Sequence, residues 1–271
     1  MILLGFDVEE FDMPFEYGKT LPFSEQLSIS TSGTLLVLDL LKETKVKATF
    51  FCTANYAINQ PDIISKIVSE GHEIASHGYY HSDFKTEHLA SSKKALEDIS
   101  GTEVTGYRMA RMMPVDEKEI QKAGYIYNSS INPTWIPGRY NHFNKPRSWF
   151  FDEGVLQIPA SVSPIVRFPL FWLTFHNLPL SIIKWMSAGA HRKDGYLNLY
   201  FHPWEFTDLN QPEKFGFPSY VTKKSGEPFI ERLKDFITWG KRKGYSFERT
   251  GDFAASIESR AKNQEPKENQ S

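Results

Sequence analysis

Cysteine is almost absent: Cys52 stands alone among 271 residues, which excludes an intramolecular disulfide framework. It falls in the apolar stretch KVKATFFC, where a buried thiol is expected rather than a nucleophile. Charge of one sign is lacking too. With 31 Lys+Arg against 33 Asp+Glu and a net charge of -2, no field gathers a polyanion, so nucleic acid is not an expected partner. No uninterrupted apolar run is long enough to cross a bilayer. The nearest, IVRFPLFWLTFHNLPLSIIKWM (165–186), is broken by Arg167, Pro169, His176, Asn177 and Pro179. It reads either as a buried crossover or wall of a site, or as an exposed patch that touches a lipid surface or a lipid-linked molecule. The opening MILLGFDVEE has neither a basic n-region nor a small-residue cleavage site, and a cytoplasmic location is the expectation that follows. A Gly-rich phosphate cradle, a serine elbow and a Cys/His pair are all missing, so nucleotide-dependent and covalent chemistry find no support.

What is present is a rhythm of short apolar strands and helices. Residues 2–8 read as a strand, followed by a long polar and aromatic loop to about residue 31. A helical apolar run over 34–41 and the strand KVKATFFC come next. Pro61 opens a helix with Ile63, Ile64, Ile67 and Val68 on one face, and Gly71 stops it before the strand HEIAS. A helix over 87–99, the strand VTGYR and a helix over 115–123 continue the series. From about 128 to 190 the rhythm is lost among Pro, Asn and aromatics. It resumes with the strand GYLNLYF and the amphipathic helix FIERLKDFITWGKRKG. Repeated β/α units predict a parallel sheet whose ligands collect beyond the carboxyl ends of the strands. One domain over residues 1–257 is expected, with a polar, disordered or frayed tail over 258–271.

Every residue of chemical interest lies at a predicted strand end. In LLGFDVEEF, strand alternation puts Asp7 and Glu9 on one face and Val8 and Glu10 on the other. Paired carboxylates need a cation or a shared proton, unless they are simply solvated. HGYYH places His77 and His81 four positions apart, and two neutral imidazoles with a carboxylate suit Zn²⁺ or another divalent first-row ion such as cobalt or nickel. His72 starts its strand and is expected at the opposite end of the sheet. His202 ends GYLNLYF and could protonate a leaving group, or merely terminate the strand. Arg108 could hold a carboxylate by a bidentate pair, or form a surface pair of little worth. His88, His142, His176 and His191 read as structural, and Trp135, Trp172 and Trp204 as sugar-stacking or core aromatics.

In this order, FDVEE, KVKATFFC, GHEIASHGYYH, GYR, GYIYNSSINPT, YFHPWE and RLKDFITWGKRKGYSFERTGDF resemble the polysaccharide deacetylases of carbohydrate esterase family 4, the NodB-like domain, and within them the bacterial exopolysaccharide-type branch. The resemblance covers nearly all of the chain. It implies a distorted, incomplete (β/α) barrel of about seven parallel strands. It also implies that Asp7 is the general base, Arg108 orients or tunes it, His77 and His81 bind the metal and His202 is the general acid. The family's third ligand is an aspartate directly after the base, where this chain has Val8. Glu9 is the first replacement by same-face geometry, with Glu10 taking its place if the chain turns after Val8, and water completing the set if neither does. Two further departures follow: GYRMARMMP, on the groove floor, carries Ala110 where the family has proline, then Arg111, and Asn128 stands where aspartate is frequent, in a segment expected to support the site differently.

The activity so implied is metal-dependent hydrolysis of an N-acetyl group on a saccharide, including a nucleotide-linked or lipid-linked intermediate. Two alternatives stay open. Relatives of the fold open cyclic amides, and a weakly active or inactive glycan-binding member would keep the barrel without the turnover.

Overall fold

The computed structural model describes residues 1–264. Its strands are β1 (Ile2–Val8), β2 (Thr49–Cys52), β3 (Glu73–Ser76), β4 (Gly106–Tyr107), β5 (Tyr127–Asn128), β6 (Trp135–Ile136), β7 (Tyr140–Asn141), β8 (Phe150–Asp152), β9 (Val155–Gln157), β10 (Leu197–Phe201) and β11 (Phe247–Glu248). The helices are α1 (Phe23–Thr44), α2 (Ala54–Asn59), α3 (Pro61–Ser69), α4 (Glu87–Ser100), α5 (Glu117–Lys122), α6 (Trp172–Asn177), α7 (Leu180–Asp194), α8 (Pro212–Phe215), α9 (Ser219–Thr222), α10 (Glu227–Arg242) and α11 (Thr250–Gln264). The main sheet runs β10-β1-β2-β3-β4-β5-β9-β8, with β11 paired to the first residues of β1. Every pairing in it is parallel except β8 with β9. The sheet curls into a half-barrel, the single α/β domain expected of a distorted, incomplete (β/α) barrel. Among the described residues the sheet has nine strands, eight of them joined by parallel pairings, in line with the about seven parallel strands expected; strands as short as β8 and β11 carry no readable alternation.

Strand β1 is the centre of the fold. All seven of its residues are buried, as a strand covered on both faces must be, and Phe6 packs on Phe50, Phe201 and Phe206. Each such ring contributes about 1.5–3 kcal/mol of burial. Cys52 is fully buried at the end of β2, and burial pushes its thiol up, in keeping with an inert role. His72 lies at the start of β3, where its Nδ1 accepts from the Ala48 amide, away from the strand ends that carry the other histidines.

Two expectations are corrected here. The last part of the loop expected to reach residue 31 is instead the start of α1, which begins at Phe23. Its buried stripe there is Gln26, Leu27, Ser30, Gly33 and Thr34, too polar and small to show as apolar periodicity. That stripe lies against the residues after β10: a Cβ on Gly33 would sit 2.0 Å from the Pro203 carbonyl oxygen. Second, the polar segment from residue 258 is helical as far as Gln264, because α11 docks through Phe253, Ala254 and Ile257 and propagates beyond that anchor. Residues 265–271 of that segment lie outside the described residues. The stretch over 128–190, where the β/α rhythm is expected to lapse, is built from short strands and two helices, its turns braced by side chains such as Arg147, which donates to the carbonyls of Val162 and Pro164.

Candidate metal centre

The strand ends bring Asp7, Glu9, His77, His81 and His202 to one cleft, whose walls include Trp172, Tyr140, Arg111 and Arg139. β1 stops at Val8, so Glu9 is already past the last strand residue. The chain then diverges: Glu9 turns into the cleft, and Glu10 turns to the start of α2, accepting from Thr53 Oγ1 at 2.7 Å and from Asn55. Glu9 is therefore the carboxylate that meets the two imidazoles, and Glu10 is occupied elsewhere.

Glu9 Oε2 lies 3.2 Å from His77 Nε2 and 3.0 Å from His81 Nε2. The other ring nitrogens decide what those contacts are. His77 Nδ1 is 2.9 Å from the Arg108 carbonyl, which can only accept, so Nδ1 carries the proton. His81 Nδ1 is likewise 2.6 Å from the Asp12 carboxylate. In neutral rings both Nε2 atoms are then lone pairs, and three acceptors face one another. Glu9 Oε2 is buried with no hydrogen-bond donor of its own. Three acceptors without a proton between them repel unless a cation joins them, so the donor set Glu9, His77 and His81 fits a divalent ion.

Without an ion, protons take that place. Burial would lower His81, but Glu9 and Asp12 outweigh it and hold the ring up at about 9. Burial would likewise raise Glu9, but His81 and His77 hold it down at about 2. These describe one interaction seen from both partners. The sign follows from each group. The raised imidazole gives stability that is complete below its ordinary 6.5 and lost as pH climbs to about 9, and the depressed carboxyl gives stability lost as pH falls from 4.5 through about 2. The metal-free protein is accordingly expected to lose stability between pH 6.5 and 9, and the metal-loaded protein to lose less; urea midpoints across that range check this.

Asp7 and Arg108 meet at 2.6 Å, Nη1 to Oδ1, both buried. The expected bidentate grip is corrected to a single bond, because Nε and Nη2 donate to the carbonyl and hydroxyl of Ser129. The pair stands despite Ala110 in place of proline. Arg108 reaches Asp7 by passing under β1, its guanidinium 3.8 Å over the Phe51 ring. Gly5 leaves room for it: an added Cβ would lie 2.7 Å from Arg108 Nη1 and 3.2 Å from Phe51. Gly5→Ala is expected to cost about 1–3 kcal/mol and to displace the guanidinium from Asp7. An unfolding midpoint equal to the parent's would mean that Arg108 has room to retreat.

His202 follows β10 and is held by Glu205, whose Oε1 accepts from its backbone N–H at 2.6 Å and lies 3.0 Å from Nδ1. Nδ1 therefore donates and Nε2 is left to the cleft. Burial would lower this imidazole, but Glu205, Glu9 and Asp7 together hold it above its ordinary value. Behind it, Glu205 Oε2 is 3.0 Å from His176 Nε2, so His176, read as structural, anchors Glu205 from a fully buried position. The Trp204 ring stacks on His202 at 4.7 Å, while its N–H donates to Glu9 Oε1 at 3.2 Å. Trp172 meets His202 edge-on at 5.3 Å, and Trp135 is exposed away from the cleft. Asn128 serves as a brace, donating to Glu117 and Gln157 while accepting from Ser130. Arg111 adopts a left-handed backbone at φ 58 and pairs with Glu16 at 3.0 Å. Asp12, Glu205 and Trp204 are the partners that no spacing rule singles out, although Glu205 and Trp204 lie inside the quoted YFHPWE.

A family model described as polysaccharide deacetylase matches residues 15–112. A chitooligosaccharide deacetylase of Bradyrhizobium is 49% identical over 47 residues, 17% of this chain and 22% of that one. The peptidoglycan-N-acetylmuramic acid deacetylase PdaA of Bacillus subtilis is 34% identical over 64 residues, 24% of each chain. The matched segments thus span about a quarter of the length of these relatives. A solved structure of a candidate polysaccharide deacetylase from Mycobacterium smegmatis superposes with a TM-score of 0.66 at 18% identity, over 96% of this chain and 90% of that one, a likeness of fold.

Proposed function

We propose that this chain, whose residues 15–112 match a polysaccharide deacetylase model, belongs to carbohydrate esterase family 4 and is a metal-dependent hydrolase removing an N-acetyl group from a saccharide or saccharide intermediate. The observation that carries this reading is the meeting of three acceptors, Glu9, His77 and His81, in one cleft with Asp7 and His202. A divalent ion held by those three, zinc first and cobalt or nickel as alternatives, would supply Lewis-acid polarisation of the acetyl carbonyl. Asp7 is the general base. Its Oδ1 is held by Arg108, a positioning residue, and Oδ2 takes the proton of the attacking water. As the water oxygen bonds to the acetyl carbon and the C–N bond breaks, His202 delivers a proton from Nε2 to the departing nitrogen. Acetate and a free amino sugar result. The bond from Nδ1 to Glu205 supports this by favouring the doubly protonated ring. Trp172 and Tyr140 offer apolar faces to a sugar ring beside these groups.

The test is metal analysis of the purified protein together with acetate release from N-acetylated and O-acetylated saccharides and ring opening of cyclic ureides. Stoichiometric metal with acetate release from N-acetylated sugars is expected. Turnover confined to cyclic ureides would instead indicate a related C–N hydrolase, and sugar binding with neither metal nor acetate would indicate a glycan-binding member.

A further inference from the structure

The broken apolar run over 165–186 divides into two parts. Leu170, Phe171, Trp172, Phe175 and Ile183 are buried, while Ile165 is 88%, Val166 71% and Trp185 76% exposed. Water-exposed aliphatic and indole groups of this size forgo most of the burial they could gain, and their grouping needs a reason. Grouped they are. Pro164 packs on the outer face of α7, 3.3 Å from where a Cβ on Gly189 would lie. Trp185 is one helical turn before Gly189 on that face, and the half-exposed Ile182 precedes Trp185 by three residues. The turn that presents Ile165 and Val166 is closed: Ser163 N donates to the Phe168 carbonyl at 2.8 Å, Phe168 N donates to Ser163 Oγ at 2.9 Å, and Arg167 sits at φ 52. Two apolar side chains are thus held at the tip of a braced turn.

Charge around this face is one-sided, although the whole chain is near balance. Residues 154–193 contain no Asp or Glu, but hold Arg167, Lys184, Arg192 and Lys193. Lys184 pairs with Asp235 of α10 at 2.9 Å, and Asp194 is taken by Arg147 at 2.6 Å. Arg167 gives Nη1 to the Pro133 and Lys145 carbonyls, and Arg192 and Lys193 make no ion pair among the described residues. An aliphatic tip, an exposed Trp and a basic rim whose neighbouring carboxylates, Asp194 and Asp235, are each held in an ion pair match the layers of an anionic bilayer surface: acyl chains, interface and headgroup phosphates. No helix of the described residues is long and apolar enough to cross a membrane, so such contact would be from one side.

We infer that this face docks the protein onto an anionic lipid bilayer. Docking would also place the catalytic cleft near the lipid. Val166 and Phe168 form part of an apolar groove of about 430 Å³, completed by Trp135, Ile136, Phe171 and Tyr220. The hairpin β6–β7 passes from that groove, at Trp135 and Ile136, to the cleft, at Arg139 and Tyr140, and Phe171 is followed directly by the cleft residue Trp172. Binding itself does not depend on the catalytic reading and is tested without it.

The experiment is co-sedimentation of the full chain with phosphatidylcholine vesicles, with and without phosphatidylglycerol. Binding is expected to the anionic vesicles and to fall with added salt. Trp185→Ser, and separately the pair Ile165→Ser/Val166→Ser, are expected to reduce partitioning about tenfold, with the circular dichroism and thermal midpoint of the parent, since these side chains make little contact within the fold. Arg192→Glu/Lys193→Glu should remove the preference for phosphatidylglycerol. Absence of binding to both vesicle types, or variants that bind as the parent does, would overturn the inference. So would a lipid-free dimer that Ile165→Ser/Val166→Ser dissociates, because a second copy would then cover the face.

Discussion

Asp7→Asn is expected to lower kcat by about 10²- to 10⁴-fold while the protein keeps its metal. The substitution is nearly isosteric, and an amide oxygen at the Oδ1 position still accepts from Arg108 Nη1, where the bond is now 2.6 Å. What disappears is the ability to take a proton at the second position, which in asparagine is itself a donor. The donor set proposed for the metal is untouched, because Asp7 is not among Glu9, His77 and His81. A base acts in the transition state, so the loss should fall on kcat, with KM changed little. The exchange also leaves the Arg108 guanidinium buried beside a neutral partner, and some stability should be lost with it, about 1–3 kcal/mol. Steady-state kinetics with metal quantified on the same preparation separates these effects. A variant that turns over within a few-fold of the parent would remove Asp7 from the role of base.

Glu9→Gln is expected to weaken divalent-metal affinity by about 100-fold or more, since even partners that only orient a ligand are worth about 10- to 100-fold. The charge of the one carboxylate in the donor set is lost, and the amide can turn its NH₂ toward the imidazoles. In that orientation it donates to His77 Nε2 or His81 Nε2, satisfying without any ion the lone pairs that repel Oε2 in the parent. The metal-free variant should therefore show a smaller loss of stability between pH 6.5 and 9, because the carboxylate that first opposes burial in holding His81 up at about 9 is gone. Glu10→Gln is the control. Glu10 accepts from Thr53 and Asn55, so its exchange should disturb the start of α2 and leave metal affinity near the parent's. Titration calorimetry on chelator-stripped protein measures both. Parental affinity in Glu9→Gln together with loss in Glu10→Gln would exchange the two assignments.

The short-range order of the chain determined the outline. The apolar strands with their intervening helices carry enough periodicity to give a parallel β/α sheet, and the strand ends identify where FDVEE, HGYYH, GYR and YFHPWE must gather. His77 and His81 were legible because both lie in one short loop, where spacing alone limits the geometry. Choices between near-equal alternatives were decided only by the tertiary structure. Glu9 and Glu10 are neighbours of identical chemistry, and strand alternation ceases to apply where β1 stops at Val8; the Thr53 and Asn55 donors that claim Glu10 belong to another element. Trp204 reaches Glu9 from 195 residues away and Asp12 reaches His81 from 69, so neither pairing leaves a local pattern. The single bond between Arg108 and Asp7 depends on Ser129 occupying the other edge of the guanidinium and on Gly5 leaving space above it. The first turns of α1 stayed hidden for a related reason: their buried stripe of Ser30, Gly33 and Thr34 is set by close approach to Pro203 rather than by apolarity. Periodicity reports which residues avoid water, and so it determined the sheet and its helices; which polar atom meets which is settled by distance across the folded chain, and only the tertiary structure contains that.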